Sequence, residues 1–273
     1  MYTRCSMQYY FRYIKDLIEP PKLALSAGKA GHSTLEANYR QKIKSGDDLA
    51  LAELLSKYSD FYDNETAELE AAALEPDESI GKVKDEGIAQ LTVYHAKIAP
   101  KIRPLLVEWE FNTDLSDPAY EYPLRIANGR IDLVTAALEI YDNKFVTTRR
   151  GVKSQADVDL SMQLSLYDMT FEERFKRTPN ALGLMVFIPP GKTIATPPEV
   201  QVITRDPRLM TRDIRAARHA RLIHQLHTVE REIALGIYRP VDDPRVCSWC
   251  GYREQCQYSL VRDDFTAMKI RAA

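Results

Sequence analysis

The sequence predicts an α/β fold, a sheet of short strands with helices packed around it. Two observations carry this. The hydrophobic period changes from helical to alternating near residue 105, and two further short apolar runs follow after an intervening stretch of helical spacing. A third bounds the size: 273 residues, 45% hydrophobic and 28% charged, are enough for a sizeable globular core. We read residues 1–273 as one domain with a helical insertion over about 45–100.

Each element has its own signal. Cys5 to about Ile18 is aromatic-rich and helix-compatible, and Pro20-Pro21 stops it. A second helix is expected after Gly28. From Asp47 to about Ile98 the chain reads as polar helix with an acidic middle (Asp60, Asp63, Glu65, Glu68, Glu70, Glu75, Asp77, Glu78), which we take as solvated in preference to an acidic partner-binding face. Leu105 to Asn112, Leu124 to Thr135 and Leu138 to Val146 read as three antiparallel strands. Ala156 to about Arg177 returns to helix, Leu182 to Ile188 and Glu199 to Thr204 add two strands, and a long arginine-rich helix from about Thr211 to Leu235 leads into a cysteine-rich tail.

Charge and hydropathy exclude some classes of function. A net charge of -2 does not suit a protein that coats polyanions, so any nucleic-acid contact has to be local. No apolar run approaches the roughly 20 residues of a membrane-spanning helix, and Met1 to Cys5 lack the apolar core of a secretion signal, so no membrane partner and a cytoplasmic location are expected.

Asp142 and Lys144 are two apart on one expected strand and therefore share a face, with Asn143 on the other. Asp132 lies in the preceding strand among apolar neighbours, where an unpaired carboxylate is costly unless a cation meets it. If the two strands are hairpin neighbours, Asp132 and Asp142 converge on one hard divalent cation, Mg2+ or Mn2+, beside Lys144. Phosphodiester hydrolysis puts extra negative charge on the phosphoryl oxygens, and a metal and an ammonium both oppose it. By itself such a triplet also reads as an exposed salt-bridge pair.

The triplet has company in Gly28-Lys29-Ala30-Gly31-His32, Gly129-Arg130-Ile131-Asp132 and Gln163-Leu164-Ser165-Leu166-Tyr167. These give, in order, G-x-x-x-H, G-x-I-D, D-x-K and Q-x-x-x-Y. With them the chain resembles the PD-(D/E)XK nuclease superfamily over residues 5 to 256, in the branch of RecB-like and AddB-like nuclease domains and the CRISPR-associated iron-sulfur exonucleases. The resemblance implies a restriction-endonuclease-like core, a central mixed sheet flanked by helices. It makes Asp132, Asp142 and His32 metal ligands and Lys144 the catalytic lysine, with Gln163 and Tyr167 bordering the active site and DNA. An imidazole among carboxylates moves the preference from Mg2+ toward Mn2+. Glu108 and Glu110 both qualify for the glutamate that the family often carries on the strand before G-x-I-D. Phe145 stands where threonine or serine often follows D-x-K.

Cys247, Cys250 and Cys256 form C-x2-C-x5-C, and the fourth cysteine, Cys5, lies near the other end of the chain. Four cysteines are too few for a disulfide scaffold, so metal ligation is the first expectation, as zinc or as a [4Fe-4S] cluster. The resemblance favours the cluster, since the branch has this one-plus-three arrangement, and its role would be structural. Arg212, Arg215, Arg218 and Arg221 recur every three residues, either as a phosphate-gripping stripe or as a solvated face, and Arg149, Arg150 and Lys153 follow the D-x-K strand in a place suited to substrate.

The expected activity is metal-dependent hydrolysis of DNA, by resemblance an exonuclease on single strands or duplex ends, acting in recombination, repair or phage DNA metabolism with a helicase or recombination partner. The alternatives are a non-catalytic DNA-binding or scaffolding subunit and an iron-sulfur redox protein.

Overall fold

The computed structural model describes residues 1–19, 22–69, 79–120, 127–191, 193 and 195–261. In chain order its helices are α1 (Ser6–Tyr9), α2 (Leu23–Ser45), α3 (Leu51–Thr66), α4 (Ile80–Lys97), α5 (Gln155–Asp159), α6 (Met162–Phe175), α7 (Arg212–Ala234) and α8 (Pro244–Ser248). Its strands are β1 (Pro104–Thr113), β2 (Ala127–Thr135), β3 (Glu139–Phe145), β4 (Ala181–Ile188) and β5 (Glu199–Thr204). The chain divides into a larger unit, Pro21–Leu115 with Arg125–Ile223, and a smaller one, Met1–Pro20 with Ser116–Leu124 and His224–Ala273.

The larger unit holds the expected sheet, in the order β1-β2-β3-β4-β5. The first three strands are antiparallel neighbours, β4 runs parallel to β3, and β5 is antiparallel to β4. A parallel step needs a crossover, and α5 and α6 supply it. Leu23, Leu35, Tyr39, Leu54, Tyr58, Leu91 and Tyr94 cover one face against Leu133, Tyr141, Met185 and Phe187. Leu164, Tyr167 and Phe171 of α6 cover the other against Ile131, Ile140, Leu182, Leu184 and Val186. The result is a mixed sheet between two helical layers, as the sequence led us to expect.

Four local expectations change. α2 starts at Leu23, one turn and more before Gly28, because an interior glycine weakens a helix without ending it. The polar stretch after Asp47 is two helices that build core as well as solvent-facing surface. Leu54, Tyr58 and Tyr62 recur every four residues and are fully buried, while Asp60, Asp63, Glu65 and Glu68 stay exposed on the remaining surface of the same segment. The tyrosines hid this stripe, since each counts as polar while burying a large ring. Glu70, Glu75, Asp77, Glu78, Pro20, Pro21 and the start of the expected strand at Leu124 lie outside the described residues.

The single helix expected from Ala156 is two. Ser154 and Asp157 close a capping box on α5, and Ser161 restarts the chain as the N-cap of α6, its hydroxyl accepting from the Leu164 amide at 3.2 Å. In the smaller unit the N-terminal helix continues from α1 as a π-helical turn, Tyr10–Ile14. Here Phe11 packs on Tyr252 with ring centroids 5.7 Å apart, Tyr252 donates to the Leu17 carbonyl at 3.2 Å, and the Ser6 hydroxyl donates to the Arg239 carbonyl at 2.9 Å.

Candidate active site

Three ligand-type side chains meet at one edge of the larger unit's core. His32 comes from α2, Glu108 from β1 and Asp132 from β2, and one ligand atom from each lies within 4.8 Å of the others. His32 Nδ1 is 3.4 Å from Asp132 Oδ2 and 3.8 Å from Glu108 Oε1. The strands bring the two acids together by breaking their own alternation. Val107 lies in one core cluster and Trp109 and Phe111 in the other, although residues two apart on a strand ordinarily share a face. Between them Glu108 has a left-handed backbone, φ 49°, a conformation that costs free energy for a non-glycine residue and is concentrated at functional sites. On β2 the same reversal brackets Asp132, with Ile131 and Leu133 in opposite clusters.

The site needs positive charge. Burial is the main cause, with the neighbouring Asp142 carboxylate second, that pushes the Asp132 carboxyl up to about 7, against the opposing influence of His32 and of the Asn143 amide. Burial alone would lower the His32 imidazolium, but Glu108, Asp132 and Asp142 together raise it. Three acids crowded around one imidazole at low exposure are a donor set that a divalent cation fits.

β3 carries the other half. β2 and β3 pair through Leu133 with Tyr141 and Val134 with Ile140, and beyond that the Asn143 amide donates to Asp132 Oδ2 at 2.7 Å in place of a ladder carbonyl. Asp142 and Lys144 share the face toward α6, with Lys144 Nζ 2.5 Å from Asp142 Oδ2. Gln163 and Tyr167, one turn apart on α6, complete the arrangement. Gln163 Nε2 donates to Asp142 Oδ1 and to the Tyr167 hydroxyl, both at 2.7 Å, while Lys144 donates to Gln163 Oε1 at 3.2 Å. The Tyr167 hydroxyl donates to the Arg130 carbonyl at 2.9 Å and lies 3.2 Å from Asp142 Oδ1. Burial and the Asp142 carboxylate raise its pKa, so it serves as a neutral hydrogen-bonding group.

A family model described as the PD-(D/E)XK nuclease superfamily matches residues 1–257. The chain belongs to that superfamily. No curated protein matches it. Membership makes the chain a nuclease of a group that uses divalent metals, and the sheet of the larger unit is its restriction-endonuclease-like core. No helix among the described residues is long and apolar enough to cross a membrane.

Against this superfamily frame, His32, Asp132, Asp142, Lys144, Gln163 and Tyr167 all meet in one place. Two neighbours come forward that spacing alone did not select. Glu108, weighed equally with Glu110 in the sequence, is the one beside His32, whereas Glu110 points to solvent and pairs with Arg130 at 2.8 Å. The signal separating them is the backbone reversal, which no residue type announces. Arg130 is the other, its guanidinium reaching Glu108 at 3.5 Å. Phe145 stacks on Phe187 with centroids 4.1 Å apart, and Gly31 makes room for its ring against α2.

Two of the four arginines of the stripe are engaged within the protein, while Arg212 and Arg221 are exposed. Arg215 is buried, bonded to both oxygens of Asp168 and to Glu172, and Arg218 donates to the Asp159 carbonyl. Arg149 is likewise spent on the carbonyls of Pro189 and Pro197 and an ion pair with Glu199. In the smaller unit, Cys5, Cys247, Cys250 and Cys256 line a single cavity with Met7 and Phe11, all four as free thiols. Burial raises the Cys256 thiol first, and the other three cysteines add to it.

Proposed function

We propose that this protein is a Mn2+- or Mg2+-dependent DNA exonuclease of the RecB/AddB-like branch, acting on single strands or duplex ends in recombination, repair or phage DNA metabolism alongside a helicase or recombination partner. The single observation that carries the reading is the contact between two groups of residues: a His32–Glu108–Asp132 trio suited to a cation, joined through Asp132 and the Asn143 amide to the Asp142–Lys144 pair.

His32, Glu108 and Asp132 hold the cation in this reading, with Asp142 as the further carboxylate beside it. A divalent ion there supplies charge stabilisation to the phosphoryl oxygens and a water acidic enough to lose its proton near neutral pH. The chain's own part is positioning and charge. Lys144 presents its ammonium where negative charge develops on the phosphoryl oxygens. Asp142 keeps that ammonium in place, and Gln163 bonds to both, so the lysine cannot swing into solvent without breaking an ion pair and a hydrogen bond. Tyr167 ties α6 to the β2 backbone through Arg130, fixing the distance between helix and strands.

We assign the four cysteines to a [4Fe-4S] cluster with a structural role. Tetrahedral zinc with Zn–S bonds of about 2.3 Å needs thiolates about 3.8 Å apart. The four thiols share one cavity in a one-plus-three arrangement, which suits a cluster better than the two tight ligand pairs typical of zinc. The reading also takes residues 1–273 as one functional nuclease whose cluster ligands come from both ends.

The deciding assay is digestion of an end-labelled oligonucleotide with Mn2+, with Mg2+ and with chelator. Asp142→Ala and Lys144→Ala should each remove digestion while leaving metal-free DNA binding largely intact. Wild-type binding without cleavage in any metal would instead identify a DNA-binding subunit.

A further inference from the structure

Four glycines, Gly28, Gly31, Gly81 and Gly87, lie inside α2 and α4 at positions where alanine would hold the helix better, since glycine gives up more backbone freedom on folding. Two have a reason within the chain. A Cβ on Gly31 would run into the Phe145 ring, and one on Gly87 into the Tyr58 hydroxyl. Gly28 and Gly81 have none: nothing lies within 4 Å of where either Cβ would stand.

What Gly28 does have is a position. It sits one turn before His32 on the same face of α2, and with Ala24, Lys29, His32, Glu108 and Arg130 it lines an open groove that runs into the cation trio. The space over Gly28 is therefore empty of protein, and it leads to the reacting centre. A missing side chain that no internal packing requires leaves room for something outside the chain.

We propose that this groove seats the DNA strand next to the reacting phosphate, and that Gly28 is where its sugar–phosphate backbone comes into van der Waals contact with α2. The proposal rests on the nuclease reading above and specifies where the substrate lies. Lys29 and the half-exposed Arg130 offer cations in the groove walls. Lys29 is held in an exposed ion pair with Glu65 at 2.8 Å and Arg130 in one with Glu110 at 2.8 Å, while Arg130 also reaches the more buried Glu108 at 3.5 Å. Such pairs are worth little in water, so phosphate oxygens can replace the carboxylates. Glu36, the remaining acid of the groove, is already countered by Arg40 at 2.7 Å. Leu25 is 60% exposed beside Gly28 and gives a sugar or base an apolar surface.

The test exploits the opposite signs expected for stability and binding. Gly28→Ala should raise Tm by about 2 °C. It should also weaken binding of a labelled single-stranded oligonucleotide in chelator, and raise KM for its digestion, by about tenfold or more. Gly81→Ala is the control, because Gly81 is equally open, stands in the first turn of α4 and is not among the groove residues. It should raise Tm without changing Kd or KM. The Mn2+-induced rise in Tm should be the same in both variants, since neither touches the trio. Unchanged Kd and KM in Gly28→Ala would overturn the proposal. A wild-type protein that binds the oligonucleotide, loses that binding on Gly28→Ala and cuts nothing would instead remove the nuclease reading and keep the groove.

Discussion

Replacing Arg215 by methionine removes the cation that faces Asp168 while keeping a side chain of similar length. In the folded protein Arg215 and Asp168 are 6% and 2% exposed at their side chains, and the guanidinium makes contacts of 3.2, 2.9 and 2.7 Å to the carboxylate. A second donor, His219 Nε2, stands 2.9 Å from Asp168 Oδ2. Removing one member of a buried pair costs about 3–5 kcal/mol, most of it the desolvation of the charge left behind. His219 remains to meet part of that charge, so the lower end, about 3 kcal/mol, is expected at pH 7. Burial alone would raise the Asp168 carboxyl, but the hydrogen bonds from His219 and Arg215, and their charges, outweigh it and hold its pKa below the usual value. The folded-state pKa is depressed, so the stability it contributes is present above the unfolded carboxyl value of about 3.9 and is lost as pH falls through the folded one. Urea denaturation at pH 7 and again near pH 3 therefore makes two separate demands. The variant must be less stable at pH 7, and its deficit must shrink on acidification. Equal stability at pH 7, or a deficit that grows in acid, would refute the reasoning.

Glu108→Gln should remove most of the Mn2+-induced rise in Tm, and Glu110→Gln should keep it, because Glu108 alone of the two belongs to the cation trio; differential scanning fluorimetry with and without Mn2+ distinguishes them. Cys250→Ser should lose the brown absorbance expected of protein carrying the proposed cluster and much of its thermal stability, and a colourless variant of full stability would defeat a structural role for that cluster. Gly31→Ala forces a methyl group into the Phe145 ring and should destabilise the fold by about 1–3 kcal/mol in urea, the reverse of the gain expected at Gly28.

Much of this protein can be read from residue types because its strands and its motifs obey simple periods. β5 runs from Glu199 to Thr204 as its apolar alternation indicates, and Asp142 and Lys144 share a face because residues two apart on a strand do. Gln163 and Tyr167 meet for the matching reason on a helix. What escaped the sequence lies where a period is broken or a residue type is ambiguous. Tyr58 and Tyr62 are chemically polar and entirely buried, so a core face passed for a solvated one. The arginines of α7 have even spacing, but spacing does not reveal that Asp168 waits opposite one of them or that the Asp159 carbonyl takes another.

The same limit explains the glutamates and shows what the broken period achieves. Had β1 and β2 kept strict alternation throughout, Val107 would lie with Trp109, and Ile131 with Leu133. The observed reversals at Glu108 and Asp132 turn both carboxylates toward α2, where His32 stands, while Asp142 and Lys144 on β3 keep the face toward α6. A regular sheet separates its two faces by the thickness of the backbone. Here the site draws on helices from both layers, α2 through His32 and α6 through Gln163 and Tyr167, and the Asn143 amide bound to Asp132 is the point where the two halves touch. The strain held at Glu108 is thus tied to the position of the His32 trio, and relieving it by Glu108→Gly would free the backbone while removing a proposed ligand, so stability and Mn2+ response should separate at that one residue.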